Sequence, residues 1–444
     1  MATLKTLYAF TRDNALGVEP RVGLTIDAEG NLIGTNSAGG VGDNGTVFEL
    51  PDEGNGVYGT PIALLTFTGQ GGSFPLGSDP EGSVFIDASG NLIGMTLAGG
   101  QNLTNPDGTP NDGEGTVYEI TNTGSGYVAP SEPLLTFHPN PFDPVVDPQG
   151  HDIFGPEGNT AGLVADSDGN LYGTSNGGGF VEINFAPMGD VYEIKYTNGS
   201  YASTPTVLVN FEGIDGRNPE GPLIIDKNGN LFGTTTSGGP SQTNGAEDND
   251  GVVFELTRDN QGNYSQPIVL ASFTGIAGAT PGAHPLALVM DGAGDLFGTT
   301  TDGGIGGAQG GSGTVFEIAY SNGSYQPART LATFTNSNGA EPTGNLLIDA
   351  AGNLFGTTFA GGGPQGFGTV FEIASAGGYN QLTTLITFTD GASGGGPEGL
   401  TADAEGNLFG TTLRAGAPAS RAPCSRSPTA GSRSPAIAVA PGSR

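Results

Sequence analysis

One ten-residue sequence recurs seven times along this chain of 444 residues, and this repetition constrains the fold more than any other feature. The last copy, from Asp403 to Thr412, reads DAEGNLFGTT. The earlier copies begin at Asp27, Asp87, Asp166, Asp226, Asp291 and Asp349. The fifth residue of each copy, Asn or once Asp, recurs at steps of 60, 79, 60, 65, 58 and 54 residues. A period of this length with short strands is typical of β-propeller blades.

Each period holds four short apolar segments with the composition of β-strands. In the first period they are Leu24–Asp27, Asn31–Thr35, Gly45–Leu50 and Ile62–Phe67. β-Branched and aromatic residues dominate these segments, and Gly, Pro, Asn or Asp bound them, which indicates strands rather than helices. The D-x-x-G-N sequence between the first two segments is typical of a tight hairpin turn. The sequence therefore predicts an all-β chain.

A phenylalanine ends the fourth strand of each repeat and indicates how the ring closes. These residues are Phe67, Phe137, Phe211, Phe273, Phe334 and Phe388. Another such strand, Thr6–Thr11 with Phe10, stands at the start of the chain. Pairing it with the last repeat would leave no open sheet edge. We therefore predict a closed seven-bladed β-propeller over residues 1–412, built from four-stranded repeats of about 60 residues, with blade 7 shared between residues 4–11 and 399–412.

The pattern breaks at Leu413, where the composition changes to Arg, Ala, Pro and Ser. Residues 413–444 hold five Arg, no acidic residue and the single cysteine, Cys424. We expect an irregular tail that results from a frameshifted or truncated end, which would leave blade 7 without its third strand. A basic tail that docks on the acidic body is the alternative, and Pro435–Pro441 could supply a substitute strand.

The formal net charge of −32 restricts the partners of the chain. All 45 acidic residues precede the tail, and such a surface repels nucleic acid and anionic membranes. No apolar run approaches the length of a membrane helix, so we expect no integral membrane segment. The N-terminus shows no signal peptide. We expect a monomer at an extracellular or cell-surface location, with a cytoplasmic location as the alternative.

The repeat as a whole resembles a known family. Its sequence runs D-x-x-G-N-L-[FYI]-G-T-T, then Gly-Gly, then G-T-V-[FY]-E-[IL], then T-L-x-x-F-T, over about residues 4–412. This resembles the Gloeo-Verruco tandem repeat of the "choice-of-anchor" surface proteins. The resemblance implies an exported bacterial β-propeller with a C-terminal anchoring signal. The tail after Leu413 departs from that pattern, and the family offers no chemistry to assign to particular residues.

The loops between the second and third strands are long and variable, and in a propeller they share one face with the connections between blades. We expect function on this face more than elsewhere, since loops commonly carry it. The most irregular insertion holds His138, Asp143, Asp147 and His151. These residues could form a metal or acid–base site, although they lack the spacing of a known metal motif and the many prolines favour a stiff surface loop.

Calcium is the one cofactor that the sequence suggests. Asp166, Asp168 and Asn170 resemble the start of a calcium loop, and Asp248 and Asp250 add clustered hard oxygens. The competing interpretation is that D-x-x-G-N serves only as a turn, because it recurs in every repeat and lacks the downstream Glu of an EF-hand.

Two further features favour structural roles. The Glu of each G-T-V-[FY]-E-[IL] recurs in six repeats, whereas catalysis needs one asymmetric group, and His284 is expected to be solvated. We therefore predict a non-enzymatic secreted or surface protein whose loop face binds protein or carbohydrate. The alternative is a propeller lyase or hydrolase with its site at the channel mouth. An asymmetric cluster of His and carboxylates there would favour the enzyme.

Overall fold

The structure is a computed structural model that describes 14 segments of the chain. They are residues 4–10, 16–68, 74–100, 103–104, 110–111, 115–137, 162–176, 188–240, 250–275, 280–304, 311–364, 366–389, 394–414 and 436–441. Every regular element in these segments is a β-strand. The described residues include no helix that could cross a bilayer.

The strands are numbered here in chain order. Up to residue 137 they are β1 (Lys5–Ala9), β2 (Thr25–Ile26), β3 (Leu32–Asn36), β4 (Thr46–Leu50), β5 (Asp52–Gly54), β6 (Val57–Tyr58), β7 (Ile62–Thr66), β8 (Phe74–Ser78), β9 (Phe85–Ile86), β10 (Leu92–Thr96), β11 (Ala98–Gly100), β12 (Leu103–Thr104), β13 (Pro110–Asn111), β14 (Thr116–Asn122), β15 (Tyr127–Val128) and β16 (Leu135–Thr136). From residue 162 to 290 they are β17 (Val164–Ala165), β18 (Leu171–Ser175), β19 (Asp190–Ile194), β20 (Tyr196–Thr197), β21 (Ser200–Tyr201), β22 (Thr206–Asn210), β23 (Ile224–Ile225), β24 (Leu231–Thr235), β25 (Val252–Leu256), β26 (Ile268–Ser272) and β27 (Ala283–Met290). The remaining strands are β28 (Leu296–Asp302), β29 (Thr314–Ile318), β30 (Tyr320–Ser321), β31 (Ser324–Tyr325), β32 (Arg329–Thr333), β33 (Leu347–Ile348), β34 (Leu354–Thr358), β35 (Thr369–Ile373), β36 (Leu382–Thr387), β37 (Gly395–Ala402), β38 (Asn407–Arg414) and β39 (Ala436–Pro441).

These strands form propeller blades, each an antiparallel sheet of four strands taken in chain order from one repeat. Six such blades are found in the described residues, and their strand orders are β2-β3-β4-β7, β9-β10-β14-β16, β17-β18-β19-β22, β23-β24-β25-β26, β27-β28-β29-β32 and β33-β34-β35-β36. The prediction of an all-β propeller is therefore confirmed. The predicted count of seven blades is wrong: six blades are found there, and the last copy of the repeat belongs to a sheet formed by the two ends of the chain.

The chain ends form a sheet of a different kind, which we call the terminal sheet. Its order is β1-β39-β38-β37, so β39 from the tail lies where another repeat would place its G-T-V-F-E-I strand. This sheet contacts blade 1. Phe10, just after β1, packs on Phe48 of β4 at 4.8 Å between ring centroids. Tyr58 of β6 packs edge to face on Phe409 of β38 at 5.5 Å.

The D-x-x-G-N turn explains why its Asp and Asn recur. In blade 1, Asp27 Oδ1 accepts hydrogen bonds from the backbone N–H groups of Glu29 and Asn31 at 3.1 and 2.8 Å. Asp27 Oδ2 accepts one from Asn31 Nδ2 at 2.9 Å, and Asn31 Oδ1 accepts the N–H of Asp52 at 2.9 Å. Gly30 supplies the positive φ of 88°. The turn thus fixes the hairpin and ties it to the end of β4.

Aromatic residues carry the packing between neighbouring blades. The final Phe of one blade packs on the strand-three aromatic of the next, in the pairs Phe67–Tyr118, Phe137–Tyr192, Phe211–Phe254, Phe273–Phe316 and Phe334–Phe371. The strand-three ring in turn lies over the Gly of the G-T-T sequence. A Cβ on Gly34 would lie 2.7 Å from Phe48 Cζ, so this position requires glycine. Burial of these rings between blades is the main source of stability.

Candidate functional site

The segments at or just before the first strand of each blade line a shared cavity of about 630 Å³. All six blades and the terminal sheet contribute lining residues, which include Arg21, Glu81, Leu163, Glu220, Leu286, Thr343, Asn345, Phe359, Glu398 and Leu413. Concave sites of this size, lined by apolar groups and a few convergent polar ones, are typical ligand sites.

A repeated backbone device positions these side chains. In five of the six blades and in the terminal sheet, a proline stands within or shortly before the first strand. The residue before that proline has a positive φ at Glu19, Asp79, Asn218, His284, Glu341 and Gly396. Its backbone connects two blades: the N–H of Asp79 donates to Asn44 O of blade 1, and Asp79 O accepts from Leu97 N of blade 2, both at 3.0 Å. The residue after the proline then lines the cavity.

The side chain that follows the proline differs from blade to blade, although the backbone there is the same. After the proline stand Arg21, Glu81, Glu220, Leu286, Thr343 and Glu398 in the described blades and the terminal sheet. The residue after G-T-T also varies, and two of its copies, Phe359 and Leu413, line the cavity. The backbone thus repeats from blade to blade, whereas the side chains that line the cavity do not. A site for one ligand requires such an asymmetric set of side chains.

Arg21 pairs with a buried carboxyl group at one side of the cavity. Its Nε lies 3.2 Å from Glu81 Oε1 and 3.1 Å from Ser37 Oγ, and its Nη2 lies 3.6 Å from Glu19 Oε2. Glu81 is buried. Burial raises the pKa of Glu81, and the Arg21 guanidinium opposes that rise. The ion pair thus places the Glu81 carboxyl beside a cation inside the cavity.

Glu398 is a second cavity carboxyl group, and both Arg21 and Glu81 influence its pKa. Burial raises the pKa of Glu398 to about 8; Arg21 opposes the rise and the negative charge of Glu81 adds to it. At neutral pH the Glu398 carboxyl is therefore mostly protonated and can donate a proton. Burial raises the pKa of both Glu81 and Glu398, and the Arg21 guanidinium opposes the rise in each, so the cavity brings two perturbed carboxyl groups beside one cation.

A third carboxylate lies across the cavity and is oriented by amides. Asn176 Nδ2 donates to Glu220 Oε1 at 3.1 Å, and Asn218 Nδ2 donates to Asn176 Oδ1. Burial raises the pKa of Glu220, whereas Asn176, His284 and the Thr236 hydroxyl lower it. The hydrogen bond from Asn176 fixes Glu220 Oε1 as an acceptor.

A histidine and a carboxylate stand near this network at the cavity edge. His284 Nδ1 lies 3.1 Å from Asp302 Oδ2, and both side chains are roughly half exposed. The Thr301 hydroxyl donates to the same Asp302 oxygen at 3.1 Å. His284 is thus exposed, as the sequence predicts, but it is also paired. The cavity has apolar surface as well, from Leu163, Leu286 and Phe359.

The calcium candidates of blade 3 occupy an ordinary turn of the repeat. Asp166 Oδ1 accepts the N–H groups of Asp168 and Asn170 at 3.0 and 2.9 Å. Asp166 Oδ2 accepts Asn170 Nδ2 and the Tyr172 hydroxyl at 2.8 and 2.9 Å. Both oxygens are thus used within the protein. Among the described residues no cluster of three or more His, Cys, Asp or Glu could hold a metal ion. Calcium binding stays a prediction.

The other predicted site residues are placed differently. Asp250 lies just before β25 in blade 4, and its backbone oxygen accepts the N–H of His284 at 2.9 Å. The structure does not bring it to Asp166, which lies in the hairpin turn of another blade. His138, Asp143, Asp147 and His151 lie outside the described residues, as does Asp248.

The repeated glutamates have local partners where the structure shows them. Arg329 Nε donates to Glu317 Oε2 at 2.8 Å within blade 5. The Tyr172 hydroxyl oxygen lies 3.2 Å from Glu193 Oε1 within blade 3. The expected structural role of this position agrees with these contacts.

Sequence reasoning missed the residues that line the cavity. The signal was present: the tripeptide Pro-Glu-Gly occurs at Glu81, Glu157, Glu220 and Glu398, of which Glu157 lies outside the described residues. In blades 1, 5 and 6 the residue after the corresponding proline is instead Arg21, Leu286 or Thr343. The residues that recur in every repeat are the easiest to notice, whereas the cavity is lined by residues that differ between repeats. To identify the site from the sequence, the repeats must first be aligned, and the residues that differ between them at the same position must then be compared.

Comparisons with known proteins concern the fold. No protein-family model matches the chain, and no curated protein matches it. An ulvan lyase from a new polysaccharide lyase family, solved with a bound saccharide of GlcA and Rha3S, is similar with a TM-score of 0.50 at 12% identity, over 91% of this chain and 93% of that one. A protein of unknown function from Dyadobacter fermentans has a TM-score of 0.48 at 11% identity, over 99% of both chains. A gluconolactonase from Xanthomonas campestris has a TM-score of 0.38 at 14% identity, over 99% of this chain and 89% of that one.

Proposed function

We propose that the shared cavity is an active site in which Glu398 and Glu81 perform acid–base chemistry on a hydroxyl-rich substrate, a neutral saccharide. The observation that carries the proposal is the pairing of a protonated carboxyl with an Arg-held carboxylate in one cavity. This is the enzyme alternative of the sequence analysis, a hydrolase or lyase at the channel mouth, and of the two we favour the hydrolase.

The roles follow from the protonation states. Glu398 donates its proton to the glycosidic oxygen that leaves as the bond to the anomeric carbon breaks. Glu81, held ionised by Arg21, accepts a proton from the water that attacks that carbon. One proton leaves Glu398 and one arrives at Glu81, and exchange with solvent restores both. No cofactor is needed for this step.

The lining and the charge favour a neutral saccharide. Phe359, Leu286 and Leu163 offer apolar surface for a sugar ring, and the carboxyl groups accept hydrogen bonds from hydroxyls. The net charge of −32 opposes polyanionic substrates. A small neutral or weakly basic ligand is not repelled by this charge.

A second candidate is the non-enzymatic protein of the sequence analysis, which binds protein or carbohydrate at its loop face. One observation favours it: the connections that follow the second strands begin at the cavity edge, where Ser37 bonds Arg21 at 3.1 Å. A large ligand could therefore contact those loops and the cavity together. The extracellular or surface location and the relationship to the Gloeo-Verruco repeat are proposals that rest on the repeat sequence.

We also infer that the terminal sheet closes the ring between blade 6 and blade 1. Thr411 donates its hydroxyl to Val22 O of blade 1 at 2.9 Å, as Thr357 of blade 6 does to Glu398 O of the terminal sheet at 2.9 Å. The contact Tyr58–Phe409 repeats the contact Tyr264–Tyr172 made between blades 4 and 3. The terminal sheet thus contacts its neighbours as a blade does.

The test uses purified full-length chain with cellotetraose and galactotetraose. We expect a rise in the unfolding temperature with at least one of them and release of reducing ends, both lost in Glu398→Gln and Glu81→Gln. The control, Glu132→Gln, alters an exposed carboxylate between β15 and β16 and should behave as wild type. Binding without release of reducing ends would support the non-enzymatic candidate, and absence of both would contradict the proposed function.

A further inference from the structure

The cavity contains one carboxylate that the proposed acid–base pair does not use. Glu220 lines it from blade 4, on the frame position that holds Glu81 and Glu398 elsewhere. Asn176 Nδ2 donates a hydrogen bond to Glu220 Oε1 at 3.1 Å. Burial raises the pKa of Glu220, and Asn176, His284 and the Thr236 hydroxyl oppose that rise. These groups come from blades 3, 4 and 5, and the hydrogen bond from Asn176 fixes the position of the Glu220 carboxyl group.

The amide chain that reaches Glu220 has a defined direction. Asn218 donates to the carbonyl oxygen of the Asn176 side chain, and this leaves the Asn176 amide nitrogen to donate to Glu220. Asn218 is itself the positive-φ residue before the proline, with φ of 57°. The backbone frame therefore sets the position of Asn218, and the two amides transmit it to the carboxylate.

A carboxylate held in this way accepts hydrogen bonds and cannot donate them. Asn176 occupies Oε1, so lone pairs that remain on the carboxylate are available to hydrogen-bond donors of a ligand in the cavity. A hydroxyl group supplies such a donor. A carboxylate on the ligand would face a fixed like charge, and removing both from water without a counter-charge is costly.

We propose that Glu220, oriented by Asn176 and Asn218, is the specificity-determining residue of the cavity, and that it selects sugars bearing a hydroxymethyl group over the corresponding uronates. The proposal rests on the proposed function, since it assigns a substrate class to the same site. Glu220 acts by direct contact with the ligand, and Asn176 is a positioning residue.

The test compares two matched pairs of β-1,4-linked or α-1,4-linked probes that differ at C6, cellotetraose with tetraglucuronate and galactotetraose with tetragalacturonate. Affinities are measured by calorimetry for wild type, Glu220→Gln, Asn176→Ala and the control Glu132→Gln. The control removes one negative charge elsewhere, so a general charge effect on uronate binding appears in it equally.

We expect wild type to bind the neutral member at least ~10-fold more tightly, a difference of about 1.4 kcal/mol. Glu220→Gln should reduce that ratio by about tenfold or more, and Asn176→Ala should weaken neutral binding while uronate stays the poorer ligand. An unchanged ratio in Glu220→Gln overturns the specificity role and leaves the proposed function standing. Failure of all four probes to bind wild type overturns both.

Discussion

The hydroxyl of Thr411 donates a 2.9 Å hydrogen bond to the carbonyl oxygen of Val22, across a separation of 389 residues. The equivalent threonine of blade 4, Thr234, makes the same bond to Leu286 O of blade 5 at 2.9 Å. A contact that joins neighbouring blades inside the chain thus also joins the two ends of the chain. This relationship supports the inferred closure of the ring by the terminal sheet.

Closure predicts a measurable contribution from Thr411. Thr411→Val should lower the free energy of unfolding by about 1 kcal/mol, because it removes one buried hydrogen bond and leaves the Val22 carbonyl unpaired. Thr35→Val is the matched control, since in the described structure the buried Thr35 hydroxyl has no hydrogen-bond partner. That change should be neutral or slightly stabilising. Equal losses for both variants in urea denaturation would contradict the closure contact.

The glycine beneath each strand-three ring predicts that alanine substitutions at different glycines affect stability unequally. A Cβ on Gly356 would lie 2.5 Å from Phe371 Cζ, whereas a Cβ on Gly292 has open space around it. Gly356→Ala should destabilise the protein by about 1–3 kcal/mol through overpacking, and Gly292→Ala should have little effect. The midpoint of thermal unfolding distinguishes these variants, and a tolerated Gly356→Ala would show that the ring can move aside.

Asp190 predicts a pH dependence of stability. Its side chain replaces the Thr found at this position in four other blades, it is fully buried, and burial raises its pKa from 3.8 to about 8, with the Ser175 hydroxyl opposing the rise. Between these two values the unfolded chain loses the proton and the folded chain keeps it. Stability due to this group is therefore fully present below about pH 4 and falls progressively until about pH 8.

Replacing this carboxyl should recover that loss. Asp190→Thr should raise the unfolding temperature more at pH 8 than at pH 5, and the difference from wild type should become constant above about pH 8. Thr116→Ser, at the same position in blade 2, removes only a methyl group and should show no such dependence on pH. A difference between Asp190→Thr and wild type that is independent of pH would contradict the buried, protonated state.

Much of the fold could be predicted from the sequence, because a propeller blade is specified locally. The turn built by Asp27, Gly30 and Asn31 and the alternating strands recur often enough to establish the period and the strand order. Phe10 also indicated that the first strand belongs with the last repeat. The predicted count of seven blades was wrong, since six blades are found in the described structure and the chain ends form a separate sheet. In that sheet Ala436–Pro441 lies beside β38, within the segment that the sequence analysis considered as a substitute strand.

The candidate site was far less accessible to sequence reasoning. Its residues lie far apart in the chain, and only the circular arrangement of the blades brings Arg21, Glu81 and Glu398 together. Histidines and clustered acidic residues, such as His138 and Asp166, stand out in the sequence and were therefore predicted as site residues. Asp166 is occupied within its own turn, and the shift in the pKa of Glu398 arises from burial, which a linear sequence does not display.

The protonation state of Glu398 tests the central claim most directly. Carbon-13 NMR of the glutamate side-chain carboxyls, recorded across a pH titration and assigned with Glu398→Gln, should show one group that titrates near pH 8 and disappears in that variant. Glu81→Gln should lower this pKa, because it removes a neighbouring negative charge. Titration of Glu398 in the ordinary range of an exposed glutamate would leave the cavity with no proton donor at neutral pH and would contradict the account.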